Sequence, residues 1–194
     1  MKNSRPTLHI DTLFYLYMSF MLLSMPLQWV VSFVLCSFLH EVSHILVAKA
    51  MHVQIRKIKV GIGGAQIYTA PMQKWQEAIC AAAGPIGGLL PVFLLHIFPE
   101  AAFWALVLTV YNLMPIFPSD GARVFRCVLL IIFLPKTVES IARIIERIFI
   151  TGIILMGIYG TIFLRLGIVP IGLALLLAVN GKFKKQLANI DDCR

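Results

Sequence analysis

The sequence predicts an all-α polytopic membrane protein with about six transmembrane helices and a small β-hairpin or sheet insertion between spans 2 and 3. Hydrophobic residues make up 59% of the 194 residues and charged residues only 13%, whereas an average soluble domain has about 25% charged residues. The mean hydropathy is +0.87. The charges cluster between apolar runs, as membrane topology requires. The net charge of +8 therefore does not indicate nucleic-acid binding.

Six apolar segments approach the roughly 20 residues that a helix needs to cross a bilayer. Their approximate limits are 8–25, 27–49, 75–98, 101–117, 148–165 and 167–181. The first has no small-residue cleavage site after it, so we interpret it as a retained helix rather than a signal peptide. We expect one membrane-embedded domain over 1–194 and no soluble C-terminal domain.

Lysine and arginine are unequally distributed between the two sides of the membrane that six spans define. Of the 17 basic residues, only Arg165 falls on the side opposite the termini. The others are Lys2, Arg5, Lys49, Arg56, Lys57, Lys59, Lys74, Arg123, Arg126, Lys136, Arg143, Arg147, Lys182, Lys184, Lys185 and Arg194. Basic loops stay in the cytoplasm. This predicts a multi-pass cell-membrane protein with both termini cytoplasmic.

The segment between spans 2 and 3 differs from the spans around it. It combines β-branched residues with glycines that disfavour a helix, namely Ile55, Ile58, Val60, Ile62, Gly61, Gly63 and Gly64. This composition predicts two short strands joined at the glycines. Glycines also allow another backbone to approach closely, so an extended peptide could pair here. A basic hairpin without a ligand is the alternative.

Three ionisable residues, His40, Glu41 and His44, interrupt the apolar run of span 2. A charged residue at the centre of a membrane helix costs about 2.5–3.5 kcal/mol on insertion scales, so this cluster requires an explanation. Histidines four residues apart share one helix face and can bind the same Zn²⁺, and the intervening glutamate can act as a general base. The pentapeptide therefore predicts a metal-dependent hydrolase site.

A catalytic zinc commonly has three protein ligands, so a third ligand must come from elsewhere in the chain. Asp120 is the best-placed candidate, at the cytoplasmic end of span 4, although an Asp-Gly pair alone is usually only a turn. His9, His52 and His96 are less suitably placed by the predicted topology.

Two other segments have structural explanations. The glycines Gly84, Gly87 and Gly88 allow close helix packing in lipid, and Pro85 predicts a kink or a local break. Residues 136–147 carry isoleucines and a valine on one side, which predicts an amphipathic helix at the cytoplasmic interface.

Three motifs together resemble the site-2 protease family of intramembrane zinc metalloproteases. They are His40-Glu-Val-Ser-His44, Asn112-Leu-Met-Pro115 and Asp120-Gly121. The Gly63-Gly64 hairpin and Ala83-Gly84-Pro85 extend the resemblance over roughly residues 5–185. The sporulation branch of the family (stage IV sporulation protein FB-like) is the most similar branch. Ser43 and Ala122 stand where glycines are common in the family, and both replacements are small.

The resemblance implies an endopeptidase that cuts a membrane-bound or membrane-associated protein near the cytoplasmic face, in regulated intramembrane proteolysis. A pro-sigma factor in sporulation is one such substrate, and membrane-protein regulators are further partners. The site residues carried over are His40, His44 and Asp120 as ligands of one Zn²⁺ per chain, Glu41 as catalytic base, and Asn112, Gly63 and Gly64 as substrate contacts.

Two other functions remain open on the sequence. A metal-binding membrane transporter would also place ionisable residues inside the membrane, but it would need polar residues deep in several spans. A catalytically inactive relative could act as a membrane binding module, although Glu41 and the three ligand residues are intact. A His₂-carboxylate donor set also suits non-haem iron, whereas the adjacent glutamate favours zinc hydrolysis.

Overall fold

The computed structural model describes residues 7–61, 64–116 and 119–162. Its elements are β1 (Thr7–Ile10), α1 (Thr12–Ser24), α2 (Leu27–Ala50), β2 (Ile55–Gly61), β3 (Gly64–Thr69), α3 (Lys74–Gly88), a 3₁₀ helix (Leu90–Leu94), α4 (Pro99–Leu113), α5 (Asp120–Ile132) and α6 (Pro135–Ile162). The chain forms two compact units, Met1–Asn112 and Leu113–Arg194. The largely helical architecture with a small sheet agrees with the prediction.

The first predicted span is wrong at its start. Residues 7–10 form β1 rather than helix, because their backbone pairs in parallel with β2, in the register Thr7↔Lys57 to Ile10↔Val60. The amide of Asp11 then donates to Val60 O at 2.9 Å, and α1 begins at the next residue. The start of α1 is therefore fixed by the sheet.

The second predicted span, 27–49, agrees with α2, which is Leu27–Ala50. Its neighbour α3 continues through Pro85 without a break and ends at Gly88, after which the backbone changes to the 3₁₀ helix. Glycine and proline are the poorest helix formers, and Pro91 in the 3₁₀ helix follows the Gly87-Gly88 pair. The third predicted span is thus two helical pieces.

The second unit contains α5 and α6. Ser119 caps α5, accepting a hydrogen bond from the amide of Ala122 at 3.2 Å, which satisfies a donor of the first turn. The predicted interfacial helix 136–147 and the start of the predicted span at 148 form one continuous helix, α6. The predicted span 167–181 lies outside the described residues, and the number of six spans stays a prediction, as does the single domain.

Two helical segments of the described chain are long and apolar enough to cross a membrane, Leu27–Ala50 and Lys74–Leu94, and Thr12–Ser24 is a shorter apolar helix. Large apolar side chains point outward on these segments. Leu23 and Phe93 are 89% and 85% exposed. Length, composition and exposed apolar surface agree with a membrane environment.

The predicted hairpin is confirmed as β2 and β3, which pair antiparallel in the register Val60↔Ala65 and Gly61↔Gly64. The sheet has the order β1-β2-β3, so β3 is an edge strand among the described residues. The sequence prediction missed β1. Residues 62 and 63 at the turn, Gly63 included, lie outside the described residues.

Helix α2 packs against both α3 and α4. Towards α4, the Cys36 thiol donates to Ala101 O at 3.2 Å, and Phe33 packs edge-on against Trp104 with ring centroids 5.1 Å apart. Towards α3, a Cβ on Gly87 would lie only 2.6 Å from the Cβ of Ser43. The predicted role of the glycines in close packing is therefore confirmed for α2 and α3.

This packing predicts a coupled effect of residues 87 and 43. Gly87→Ala should lower the thermal unfolding midpoint because its methyl group would overlap Ser43. Ser43→Gly removes the obstructing atoms and should restore much of the loss in the double variant. A double-mutant cycle, followed by circular dichroism in detergent, should give a coupling of about 0.5–3 kcal/mol. Strictly additive effects would contradict the contact.

Candidate metal centre

The two histidines of α2 face each other on adjacent turns. Their Nε2 atoms are 3.2 Å apart, and His40 is only 5% exposed. Two nitrogen lone pairs at this distance require a proton or a cation between them. Tetrahedral zinc with Zn–N bonds of about 2.0–2.1 Å separates its nitrogens by about 3.3 Å. The observed pair therefore fits two ligands of one zinc ion.

The orientation of His44 is set by a backbone group of α3. Its Nδ1 lies 2.6 Å from Cys80 O, and since a carbonyl only accepts, Nδ1 carries the proton and donates. The lone pair of the neutral ring is then on Nε2, the atom that faces His40. Metal-binding histidines almost always make such a bond through the second ring nitrogen.

Gly84 allows α3 to cover both rings. A Cβ at this position would lie 2.7 Å from His40 Nε2 and closer still to the ring of His44. Any side chain would therefore displace the imidazoles or separate the helices. Gly84 was predicted to allow helix packing, and its packing partner is the histidine pair itself.

The carboxylate of Glu41 contacts the β-hairpin. Its Oε1 accepts the backbone N–H of Ala65 at 3.1 Å. Gly64, the residue before, has φ of +94°, and a Cβ there would lie 3.5 Å from the same oxygen. Positive φ strongly favours glycine, so the backbone conformation beside Ala65 depends on a glycine at residue 64.

The hydrogen bond from Ala65 to Glu41 also indicates which backbone amides of β3 face its outer edge, the edge away from β2. In an antiparallel pair, alternate residues bond to the partner strand. Ala70 donates to Gln54 O at 2.9 Å, which places the even-numbered amides towards β2. The amides of Ala65, Ile67 and Thr69 therefore face the other edge, and Glu41 occupies the first of these donors.

In the second unit, Asp120 is the first residue of α5 and is 8% exposed. Arg123, one turn later, places Nη1 4.0 Å from Asp120 Oδ1. Ser119 Oγ donates to Met114 O, and a Cβ on Gly121 would lie 2.8 Å from the Cα of Leu113. Gly121 thus allows the backbone of Leu113 to approach the start of α5.

The third predicted ligand, Asp120, belongs to the second unit, whereas His40 and His44 belong to the first, so its place in the same metal site stays a prediction. His9, His52 and His96 are exposed. Two nitrogens and a carboxylate oxygen are a donor set that catalytic zinc accepts.

Asn112, near the end of α4, donates from Nδ2 to Leu108 O at 2.9 Å. Its predicted contact with substrate stays a prediction. Two groups at the site, the Cys80 carbonyl and the Ala65 amide, were not predicted from the sequence. Both are backbone groups, which carry no residue-type signal.

A histidine pair with an adjacent glutamate on one helix is the arrangement typical of hydrolase-type metal centres. In fold, the chain is similar to the structure of the site-2 protease from Methanocaldococcus jannaschii, with a TM-score of 0.67 and 21% sequence identity over 90% of this chain and 88% of that chain. No protein-family model matches the sequence, and no curated protein matches it.

The covering of the rings by α3 predicts that Gly84→Ala weakens zinc binding by at least about tenfold, the size of effect that disturbed ligand orientation produces. Zinc affinity in detergent, measured against a competing chelator, tests this. Gly152→Ala is the matched control because a Cβ there has no neighbour within 4 Å. Wild-type affinity in Gly84→Ala would show that α3 does not constrain the rings.

Proposed function

We propose that the chain is an intramembrane zinc endopeptidase of the site-2 protease type, cutting a membrane-bound or membrane-associated protein. The observation that carries this proposal is the histidine pair, with Nε2 atoms 3.2 Å apart, on a helix long and apolar enough to cross a membrane. The similarity of fold to a site-2 protease supports it.

His40 and His44 would hold the metal through imidazole nitrogen and Asp120 through a carboxylate oxygen. A zinc ion bound there supplies Lewis-acid polarisation of a carbonyl and acidification of water. The bond from His44 to Cys80 O keeps the neutral tautomer that binds a metal.

Glu41 is the general base. It follows His40 directly and lies one helical turn before His44, so its carboxylate belongs to the same site. In peptide hydrolysis it accepts a proton from the attacking water and returns a proton to the leaving amine nitrogen. The N–H of Ala65 holds Oε1, which restricts the rotation of the carboxylate and keeps it directed for this transfer.

The substrate would bind as an extended strand along the outer edge of β3. Glu41 occupies the Ala65 donor, so pairing uses the next outward amides, those of Ile67 and Thr69. The peptide then continues past its last paired residue towards Glu41. β-Strand addition supplies main-chain affinity with little demand on side chains, and it presents an unfolded peptide bond to the base. Gly63 and Asn112 are further proposed contacts.

The proposed setting is the lipid bilayer, with both termini cytoplasmic and the site near the cytoplasmic face. Lys136, Arg143 and Arg147 are exposed along one side of α6, opposite the buried Val138 and Ala142. Basic residues beside an apolar helical segment favour anionic headgroups. Membrane-protein regulators, and a pro-sigma factor in sporulation as substrate, come from the family resemblance alone.

Glu41→Gln should retain zinc and the unfolding midpoint of the wild type but reduce cleavage at least about 100-fold, because the amide does not accept the proton. Fluorogenic extended peptides in detergent micelles provide the assay, and metal analysis runs in parallel. Glu77→Gln is the control, since Glu77 lies in the first turn of α3. Undiminished cleavage by Glu41→Gln would rule out the proposed base.

Ile67→Pro tests the substrate edge. It removes an outward N–H without removing a β2–β3 hydrogen bond, and should raise the KM for extended peptides by up to about tenfold, the cost of one hydrogen bond. Zinc content should not change.

Ile67→Ala is the matched control for that variant because it loses the side chain but keeps the amide. Equal KM values for the two variants would show that the amide takes no part in binding, and the substrate strand would then have to lie elsewhere.

A further inference from the structure

One of the proposed zinc ligands, His44, has a backbone partner at the ring nitrogen that does not face the other histidine. Its Nδ1 donates to Cys80 O at 2.6 Å. Such partners fix ligand orientation, and their loss typically costs 10–100-fold in metal affinity. In His40 the corresponding atom is Nδ1, the ring nitrogen that does not face His44.

Helices α3 and α4 line that position. A Cβ on Gly88 would lie 3.2 Å from His40 Nδ1 and 3.6 Å from Thr109 Oγ1. The two polar atoms thus border the same small space, which is kept open because residue 88 is a glycine. His40, Gly88 and Thr109 are all buried.

The buried hydroxyl group of Thr109 requires an explanation. It is 4% exposed, and its Oγ1 has no hydrogen-bond partner among the described residues. Burying an unsatisfied hydroxyl is unfavourable. A threonine in a helix commonly relieves this by donating to the carbonyl four residues earlier, and Thr109 does not do so. Valine has nearly the same shape and would avoid the problem entirely.

We propose that Thr109 is a positioning residue for the metal centre, with Oγ1 accepting the Nδ1 proton of His40 when zinc is bound. This bond selects the tautomer whose Nε2 lone pair faces His44. A hydroxyl suits this role because it accepts a hydrogen bond without adding charge to a buried site. The proposal rests on the proposed function, since it assumes that His40 is a zinc ligand.

The test compares Thr109→Val, which removes the hydroxyl, with Thr109→Ser, which keeps it. Zinc affinity of the full chain is measured in lipid nanodiscs by chelator competition, and the absorption spectrum of the Co²⁺-substituted protein reports ligand geometry. Thr109→Val should bind zinc 10–100-fold more weakly, with altered Co²⁺ bands. Thr109→Ser should stay close to the wild type. Thr109→Ala gives a second variant without the hydroxyl.

Two results would overturn the positioning role. Wild-type zinc affinity in both Thr109→Val and Thr109→Ala would show that the hydroxyl is not used. An equal loss in Thr109→Ser and Thr109→Val would assign the effect to side-chain packing at residue 109 rather than to the hydroxyl. Either result leaves zinc binding and cleavage by the wild type intact, whereas a wild-type protein without zinc would remove the proposed function as well.

Discussion

The contact between the α3 backbone and the histidine face of α2 is the interaction on which the site depends. Gly84 and Gly87 lie against His40, His44 and Ser43 with no room for a side chain. Lipid offers no hydrophobic drive for helix association, so close packing and hydrogen bonds must supply it. The contact between α2 and α3 supplies both close packing and a hydrogen bond, because the close approach of the two helices also brings Cys80 O to His44. The packing of α3 on α2 and the orientation of the His44 ring therefore depend on the same contact.

The small sheet extends this coupling to Glu41, the proposed base. The Ala65 amide reaches Glu41 from the outer edge of β3, so the position of the hairpin determines the orientation of the carboxylate. On its other side, β2 is paired with β1. Lys59 in β2 places Nζ 3.9 Å from Oδ2 of Asp11, the residue before α1. A strand added at the outer edge would thus contact the element that positions the base, which links substrate binding to catalysis in the proposed mechanism.

The sequence predicted the features that depend on local pattern. The limits of α2, the hairpin at the glycines and the residue types of the metal group follow from hydropathy, glycine placement and the His-Glu-x-x-His spacing. The sequence did not predict the features that depend on contacts with backbone groups far away in the chain. Thr7–Ile10 reads as part of an apolar run, and only pairing with residues far along the chain makes it a strand. The continuity of α6 and the change to a 3₁₀ helix after Gly88 likewise depend on neighbouring structure.

The central claim is that two imidazoles and a carboxylate hold one zinc ion. X-ray absorption at the zinc K-edge of the purified protein in lipid tests it most directly. The account predicts one zinc per chain with two imidazole ligands and oxygen ligands at about 2.0–2.2 Å. A shell of sulfur at about 2.3 Å, which would indicate cysteine ligands, or a protein that takes up no zinc, would contradict it.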